Sequence, residues 1–172
     1  MKPFINATFG IFTVFAGTTA FAQDNAWMTN RGLDPRGNPY ARMFVKKNEL
    51  GMEFNCNKIK NRSSFLRAKF SAISLPRLYA VDGEEAKLRL VFKLKDGVTH
   101  IVPWDAYFVS DLPDGSGAWL GKFSSRKSDL NALSAARKII IINKDGERVY
   151  DFDTQRTAIG VKAIREECGL GK

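Results

Sequence analysis

The feature that most restricts the fold of this chain is a cysteine on the apolar face of an amphipathic segment, residues 153–169. Four residues separated by four, three and four positions share one face of a helix in this segment, namely Thr157, Val161, Ile164 and Cys168. Lys162 and Glu166 lie on the opposite face, with the i,i+4 spacing of a weakly favourable ion pair. The pattern predicts a helix that ends near Gly169 and packs Cys168 against a core.

The other cysteine, Cys56, ends an alternating segment, residues 49–56. Its inward side chains recur at every second position, as in a half-buried strand: Leu50, Met52, Phe54 and Cys56. The two cysteines allow one pairing, which closes a loop of more than 100 residues. In an oxidising compartment such a pair normally forms a disulfide. The alternative, a reactive dithiol, lacks a C-x-x-C motif and an adjacent basic residue. We therefore expect a Cys56–Cys168 disulfide that ties the final helix to an early strand.

Residues 1–22 have the features of a secretory signal peptide. Lys2 supplies a basic start, an apolar run follows at 9–15, and Ala20-Phe21-Ala22 is a small-x-small cleavage site. The alternative, a membrane anchor, requires about 20 apolar residues, and this run is shorter. The sequence predicts cleavage near Ala22, a periplasmic or secreted product, and no transmembrane segment in the mature chain.

The remaining sequence divides into an arm and one domain. Residues 23–45 contain Asn30, Gly32, Gly37 and two X-Pro pairs, and are predicted to form an irregular arm. Residues 46–172 are predicted to form a single β-rich domain, with strands at 65–70, 87–95, 98–102, 118–123, 139–142 and 147–152 and a short helix at 128–137. Pro103 is expected to end the strand 98–102. The predicted class is mainly β (α+β), an antiparallel β-sandwich-like or curled sheet with a short helix and a C-terminal helix.

Basic residues outnumber acidic ones, 27 to 18, and the net charge of +9 becomes +8 when Lys2 is removed with the signal. On the strand 87–95 four basic side chains share one face: Lys87, Arg89, Lys93 and Lys95. Arg67 and Lys69 point outward on a neighbouring strand. The pattern predicts a surface for an anionic envelope component or an envelope protein; nucleic acid is a poor partner for an exported chain. The alternative is an ordinary solvated face whose lysines discourage aggregation.

Aromatic residues in the middle of the chain form a second candidate binding surface. Trp104 and Trp119 flank a loop, residues 111–117. If exposed together they would mark an interaction site, and the alternative is that they belong to the core.

Catalysis has little support in the sequence. His100 is the single histidine, on a predicted strand, and a structural role is expected for it. One histidine and two bridged cysteines are too few ligands for a zinc-type metal site. Asp111 and Asp114 resemble part of a calcium loop, but Pro113 replaces a ligand and no glutamate closes the loop. We expect no catalytic residue, no metal and no cofactor.

Several of these features also occur together in a group of small exported proteins. They are Trp27 after the signal, the alternating strand that ends in Cys56, Leu130 and Leu133 before the run 139–142, and Tyr150-Asp151-Phe152 before the helix that ends at Cys168. Over residues 27–168 the chain resembles small exported proteobacterial proteins that include the invasion-associated locus B family and periplasmic proteins associated with type VI secretion. The resemblance implies a β-sandwich-like, disulfide-closed periplasmic protein, and it gives no catalytic residues to carry over to this chain.

Together these observations predict a non-enzymatic binding module that recognises an envelope partner through a sheet face and its loops. One alternative is an inhibitor of a cell-wall enzyme that inserts the loop 111–118, although a charge of +8 does not suit a basic lysozyme as target. The other alternative is a carboxylate-dependent cell-wall glycosidase, which would need two carboxylates about 5–10 Å apart in a cleft. A flat basic sheet would favour the binding module.

Overall fold

The computed structural model describes residues 25–60, 62–72, 75–79, 83–112 and 116–171, so the predicted signal peptide lies outside the described residues. Within these ranges the chain forms one curled, nine-stranded antiparallel sheet and two helices, which confirms the predicted fold class. The strands are β1 (Met28–Leu33), β2 (Pro39–Lys47), β3 (Leu50–Asn57), β4 (Leu66–Ser71), β5 (Glu85–Lys93), β6 (Thr99–Val109), β7 (Ala118–Phe123), β8 (Lys138–Ile142) and β9 (Arg148–Asp153). The helices are α1 (Lys127–Ala135) and α2 (Thr157–Cys168). The strand order is β1-β2-β3-β4-β7-β6-β5-β8-β9.

Helix α2 lies on the inner face of the sheet and is tied to β3 by the predicted Cys56–Cys168 disulfide. The four residues of its predicted apolar face are all buried, and the predicted i,i+4 ion pair is present at 3.8 Å. Gly160 allows a close approach to the sheet, because a Cβ at this position would lie 2.6 Å from the Cβ of Met43 on β2. Gly169 ends the helix with a left-handed φ of 68°. The final helix therefore covers the first strands, as the position of its cysteine predicts.

The inner face of the sheet and the two helices enclose one hydrophobic core. Strand alternation supplies most of it, since every second residue of a strand points to the same side. On β5 the buried side chains are Leu88, Leu90 and Phe92, and their neighbours along the strand point outward. The core thus fixes which side chains of each strand remain on the outer face.

The prediction that residues 23–45 form an irregular arm is wrong. Most of this segment is β1 and β2, joined by a turn in which the Asp34 carboxylate accepts hydrogen bonds from the backbone N–H groups of Arg36 and Asn38. Strand β2 alternates cleanly, with its inward residues Ala41, Met43 and Val45 buried. The turn-forming residues occupy the short β1–β2 connection and the exposed edge strand β1, where Asn and Gly are tolerated.

The prediction that Pro103 ends a strand is also wrong, because β6 continues through it to Val109. At Pro103 the strand is paired with Arg89 of β5, whereas its pairing with β7 is confined to Tyr107, Phe108 and Val109. Only one neighbouring strand is present at this level, and a proline without an N–H donor is tolerated at such an edge position.

The curl of the sheet brings its two ends together. Ala26, just before β1, forms a parallel bridge with Gln155, just after β9. The indole Nε1 of Trp27 donates a hydrogen bond of 2.7 Å to the carbonyl oxygen of Asp153. The start of the first strand and the end of the last one are therefore joined directly by hydrogen bonds.

Candidate functional site

The outer face of the central strands is basic. Five of the six basic residues predicted to form a binding surface lie there, and Lys122 of β7 joins them directly opposite Arg67. We call the following six residues the basic face: Arg67, Lys69, Lys87, Arg89, Lys93 and Lys122. Strands β4 and β5 are separated by β7 and β6, which sets the two strands about 14 Å apart. Lys69 is level with Glu85 at the start of β5, so Lys93 at the end of that strand lies farther away. The sixth predicted residue, Lys95, lies beyond the end of β5 in the exposed turn to β6.

The charges of the basic face are largely unpaired. No carboxylate of the described residues lies within 4.0 Å of any of its six cationic groups. On the same strands two acidic residues share the face, Asp105 opposite Lys87 and Glu85 opposite Tyr107. Glu53 of β3 lies opposite Lys69, but it is paired with Arg42 and the two charges cancel. Six cations against the two remaining carboxylates leave a net charge of +4 on this surface. Such a surface attracts anions and favours association with an acidic partner.

The two tryptophans of the second candidate surface do not face solvent. Trp104 and Trp119 are 0% and 1% exposed, and Trp119 packs against Phe108 with ring centroids 5.3 Å apart. Both belong to the core, so an exposed aromatic surface at these two residues is wrong. The part of the 111–118 loop at residues 113–115 lies outside the described residues.

A concave site that the sequence did not reveal lies at the other side of the outer face. It is a cavity of about 510 Å³ between the β1–β2 turn and the segment that connects β3 to β4. We call it the loop groove; its lining residues include Leu33, Asp34, Tyr40, Arg42, Glu53, Asn55, Asn57, Ile59, Phe65 and Arg67. Three of its walls are exposed apolar side chains, Leu33 at 68%, Ile59 at 39% and Phe65 at 41%. The volume is in the usual range for ligand sites.

The two carboxylates of the loop groove are both engaged by the protein itself. Glu53 pairs with the Arg42 guanidinium at 2.7 Å and accepts a hydrogen bond from Asn55. Asp34 accepts hydrogen bonds from the backbone and side chain of Asn38 and from the Asn57 side chain. Hydrogen bonds from Asn38 above all lower the pKa of Asp34 below its ordinary value. Asp34 therefore stays ionised, which does not suit the general acid of a glycosidase.

A second cavity adjoins the loop groove at Ile59, and the cations that line it have no acidic partner among the described residues. Arg36 lies in the β1–β2 turn, and Lys58, Lys60 and Arg62 lie in the segment that follows β3; all four are exposed. The Arg67 guanidinium lies 5.3 Å from the ring centroid of Phe65 in a cation–π contact. Sequence reasoning missed this site because its parts come from two separate connections. The density of Lys and Arg at 58–67 was the available signal.

A third polar cluster joins His100 to the start of α1. The His100 Nε2 atom lies 2.6 Å from Asp129 Oδ1, and Ser124 Oγ donates a hydrogen bond to the other oxygen of Asp129. Burial opposes ionisation of Asp129, but the hydrogen bonds from Ser124 and His100 and the charge of His100 outweigh it and lower its pKa. The carboxylate lies between the serine and the imidazole. In a serine hydrolase the imidazole lies between the other two groups, so this order does not activate the serine.

Within the described residues, no three His, Cys, Asp or Glu side chains form a cluster able to hold a metal ion. The helices of the same part of the chain are too short or too polar to cross a membrane. Comparisons of the chain with protein-family models, with curated proteins and with solved structures each found no match.

Proposed function

We propose that this protein is an exported, non-enzymatic binding module that recognises an acidic envelope protein or another anionic envelope component through its basic face. The observation that carries the proposal is the alignment of six cationic side chains on one side of a rigid sheet, with no acidic partner among the described residues within ion-pair distance. The backbone of a paired sheet is already ordered before a partner binds, so the cost of binding is confined to ordering the Lys and Arg side chains, at about 0.5–1.5 kcal/mol each.

The rigidity of this surface comes from the fold beneath it. Lys87 and Arg89 alternate with Leu88 and Leu90, which are buried in the core. The strand that carries them is paired on both sides, with β6 and with β8. Successive outward residues of a strand are about 6.6 Å apart, and Val91 interrupts the row, so Arg89 and Lys93 are about 13 Å apart. A partner with anionic groups at these two separations would match the row.

The test is a pull-down from an envelope extract with the oxidised protein at low and at physiological salt. The variant Lys87→Gln, Arg89→Gln, Lys93→Gln removes three charges from the basic face. A matched control, Lys127→Gln, Lys144→Gln, Lys162→Gln, removes three charges from exposed positions elsewhere. We expect a partner that the native protein and the control retain and that the first variant loses, with weaker retention at higher salt.

A partner retained equally by both variants would refute the role of the basic face. Loss from both variants alike would show that only the total charge matters, and it would also contradict recognition at this surface. Circular dichroism of both variants checks that the sheet is intact.

A further inference from the structure

We propose that the loop groove is a second binding site and that its ligand is an acidic peptide segment carrying one bulky apolar side chain. The groove shares Arg67 with the basic face, but it is a distinct site because it has its own apolar walls, a concave shape and four further cations in the adjoining cavity. Four features of the site support this ligand: its walls, its charges, its floor and its size.

The walls expose apolar surface in one place. Leu33, Ile59 and Phe65 line the groove, and they are three of the eight large hydrophobic residues that are exposed in the described part of the chain. Single exposed apolar side chains are common, but three around one concavity mark an interaction site. An aromatic or aliphatic side chain that inserts between them would remove all three from water.

The charges select an acidic ligand. Asp34 and Glu53 are the carboxylates that line the groove, and both are already paired or hydrogen-bonded within the protein. Arg67, which lines the groove, has no acidic partner among the described residues. The same holds for the four cations of the adjoining cavity, which meets the groove at Ile59: Arg36, Lys58, Lys60 and Arg62. Carboxylates on either side of the apolar anchor would meet Arg67 and the cations of the adjoining cavity.

The floor favours a peptide over a lipid chain. It is made of polar side chains on β2 and β3, with Arg42, Asn55 and Asn57 among them. Covering these groups with an acyl chain would leave buried polar atoms without partners, which is costly. A peptide backbone brings its own N–H and C=O groups and can satisfy them.

The size and shape favour a short projecting segment over a flat surface. The cavity of about 510 Å³ holds one large side chain with its neighbouring backbone. A flat bilayer or an extended polymer would contact the rim but not the walls. The ligand is therefore a segment that protrudes from its own protein, such as a loop or a terminus.

The test is a titration of the ¹⁵N-labelled oxidised protein with the peptide Ac-EDFDE-NH2, followed by NMR. Two control peptides replace the phenylalanine by serine or all four acidic residues by lysine. We expect saturable shifts centred on the loop groove, and an affinity about tenfold weaker or worse for each control peptide. No saturable shift at about 1 mM peptide would overturn the proposal, because a dissociation constant weaker than this is too weak for a specific site.

Variants separate the groove from the basic face. The triple variant Lys58→Gln, Lys60→Gln, Arg62→Gln removes exposed cations of the cavity that adjoins the groove, and Phe65→Ser removes the aromatic wall of the groove itself. Both are expected to weaken peptide binding about tenfold, whereas the triple variant of the basic face at Lys87, Arg89 and Lys93 leaves it unchanged. If instead the basic-face variant abolishes the peptide shifts and the groove variants do not, the peptide binds the basic face and the proposed groove site is wrong.

Discussion

Removing the Cys56–Cys168 disulfide is expected to lower the free energy of unfolding by about 5 kcal/mol. The bond joins residues 112 positions apart, and the loop-closure relation gives about 4.8 kcal/mol for a loop of this length at 25 °C. The packing of the folded state changes little in comparison. Both cysteines are buried, at 4% and 3% exposure, and a buried thiol behaves as a small apolar group. Since single domains are stable by only about 5–15 kcal/mol in total, the reduced protein should be marginal.

Urea unfolding measures this difference directly. The three tryptophans, Trp27, Trp104 and Trp119, are buried and report unfolding by their fluorescence. With a slope of about 2 kcal/mol per molar urea, the midpoint should fall by about 2.4 M on reduction with dithiothreitol. The double variant Cys56→Ala, Cys168→Ala should show the same fall without reductant. A decrease of less than about 1 kcal/mol in the free energy of unfolding would refute the loop-entropy reasoning and show that the reduced, unfolded chain stays compact.

Two further predictions concern single residues of the core and of the polar cluster. Gly121→Ala places a Cβ 2.5 Å from the Trp104 indole nitrogen and against the carbonyl oxygen of Asp105. Urea unfolding should show a loss of about 3 kcal/mol or more in the free energy of unfolding. The control Gly32→Ala should have little effect, because the nearest atom to the added Cβ is 3.7 Å away. Asp129→Asn should cost about 2 kcal/mol at neutral pH, because a charged acceptor is lost. The pKa of Asp129 is lowered in the folded state, so the carboxylate stabilises the protein above its ordinary pKa, and this contribution is lost as the pH falls through the lowered value. The difference in the free energy of unfolding between wild type and variant should therefore shrink in acid. A difference that grows in acid would contradict this assignment.

The parts of the fold that the sequence predicts are those governed by local periodicity. The alternation of Leu88, Leu90 and Phe92 and the turn at Asp96 and Gly97 predict the β5–β6 hairpin, and the structure confirms it. The disulfide was predictable because two cysteines allow one pairing and both lie on apolar faces. These signals require no knowledge of the tertiary structure.

The errors come from residues whose meaning depends on their neighbours in space. Turn-forming residues near Gly32 suggested an irregular arm, although the alternation of Ala41, Met43 and Val45 in the same segment indicated a strand. Pro103 is compatible with a strand only because β7 is absent beside it, which sequence alone does not reveal.

The same limit applies to the candidate sites. The outward position of Lys87, Arg89 and Lys93 follows from strand alternation, and the sequence predicts it. The loop groove depends on the approach of the β1–β2 turn to the segment after β3, and no local pattern encodes that approach. The exposure of Leu33 and Phe65 is visible only once the two connections face each other.

The connection between α2 and the first strands has a consequence for how the chain is made. The apolar inner face of β2 and β3, with Met43, Met52 and Phe54, is covered by a helix that is synthesised more than 100 residues later. Until residues 157–168 are made, the helix that covers this face is missing and the disulfide cannot form. With only two cysteines, no wrong disulfide is possible within one molecule. The wrong pairing that remains is a disulfide between two copies of the chain, and crowding of newly made chains favours it.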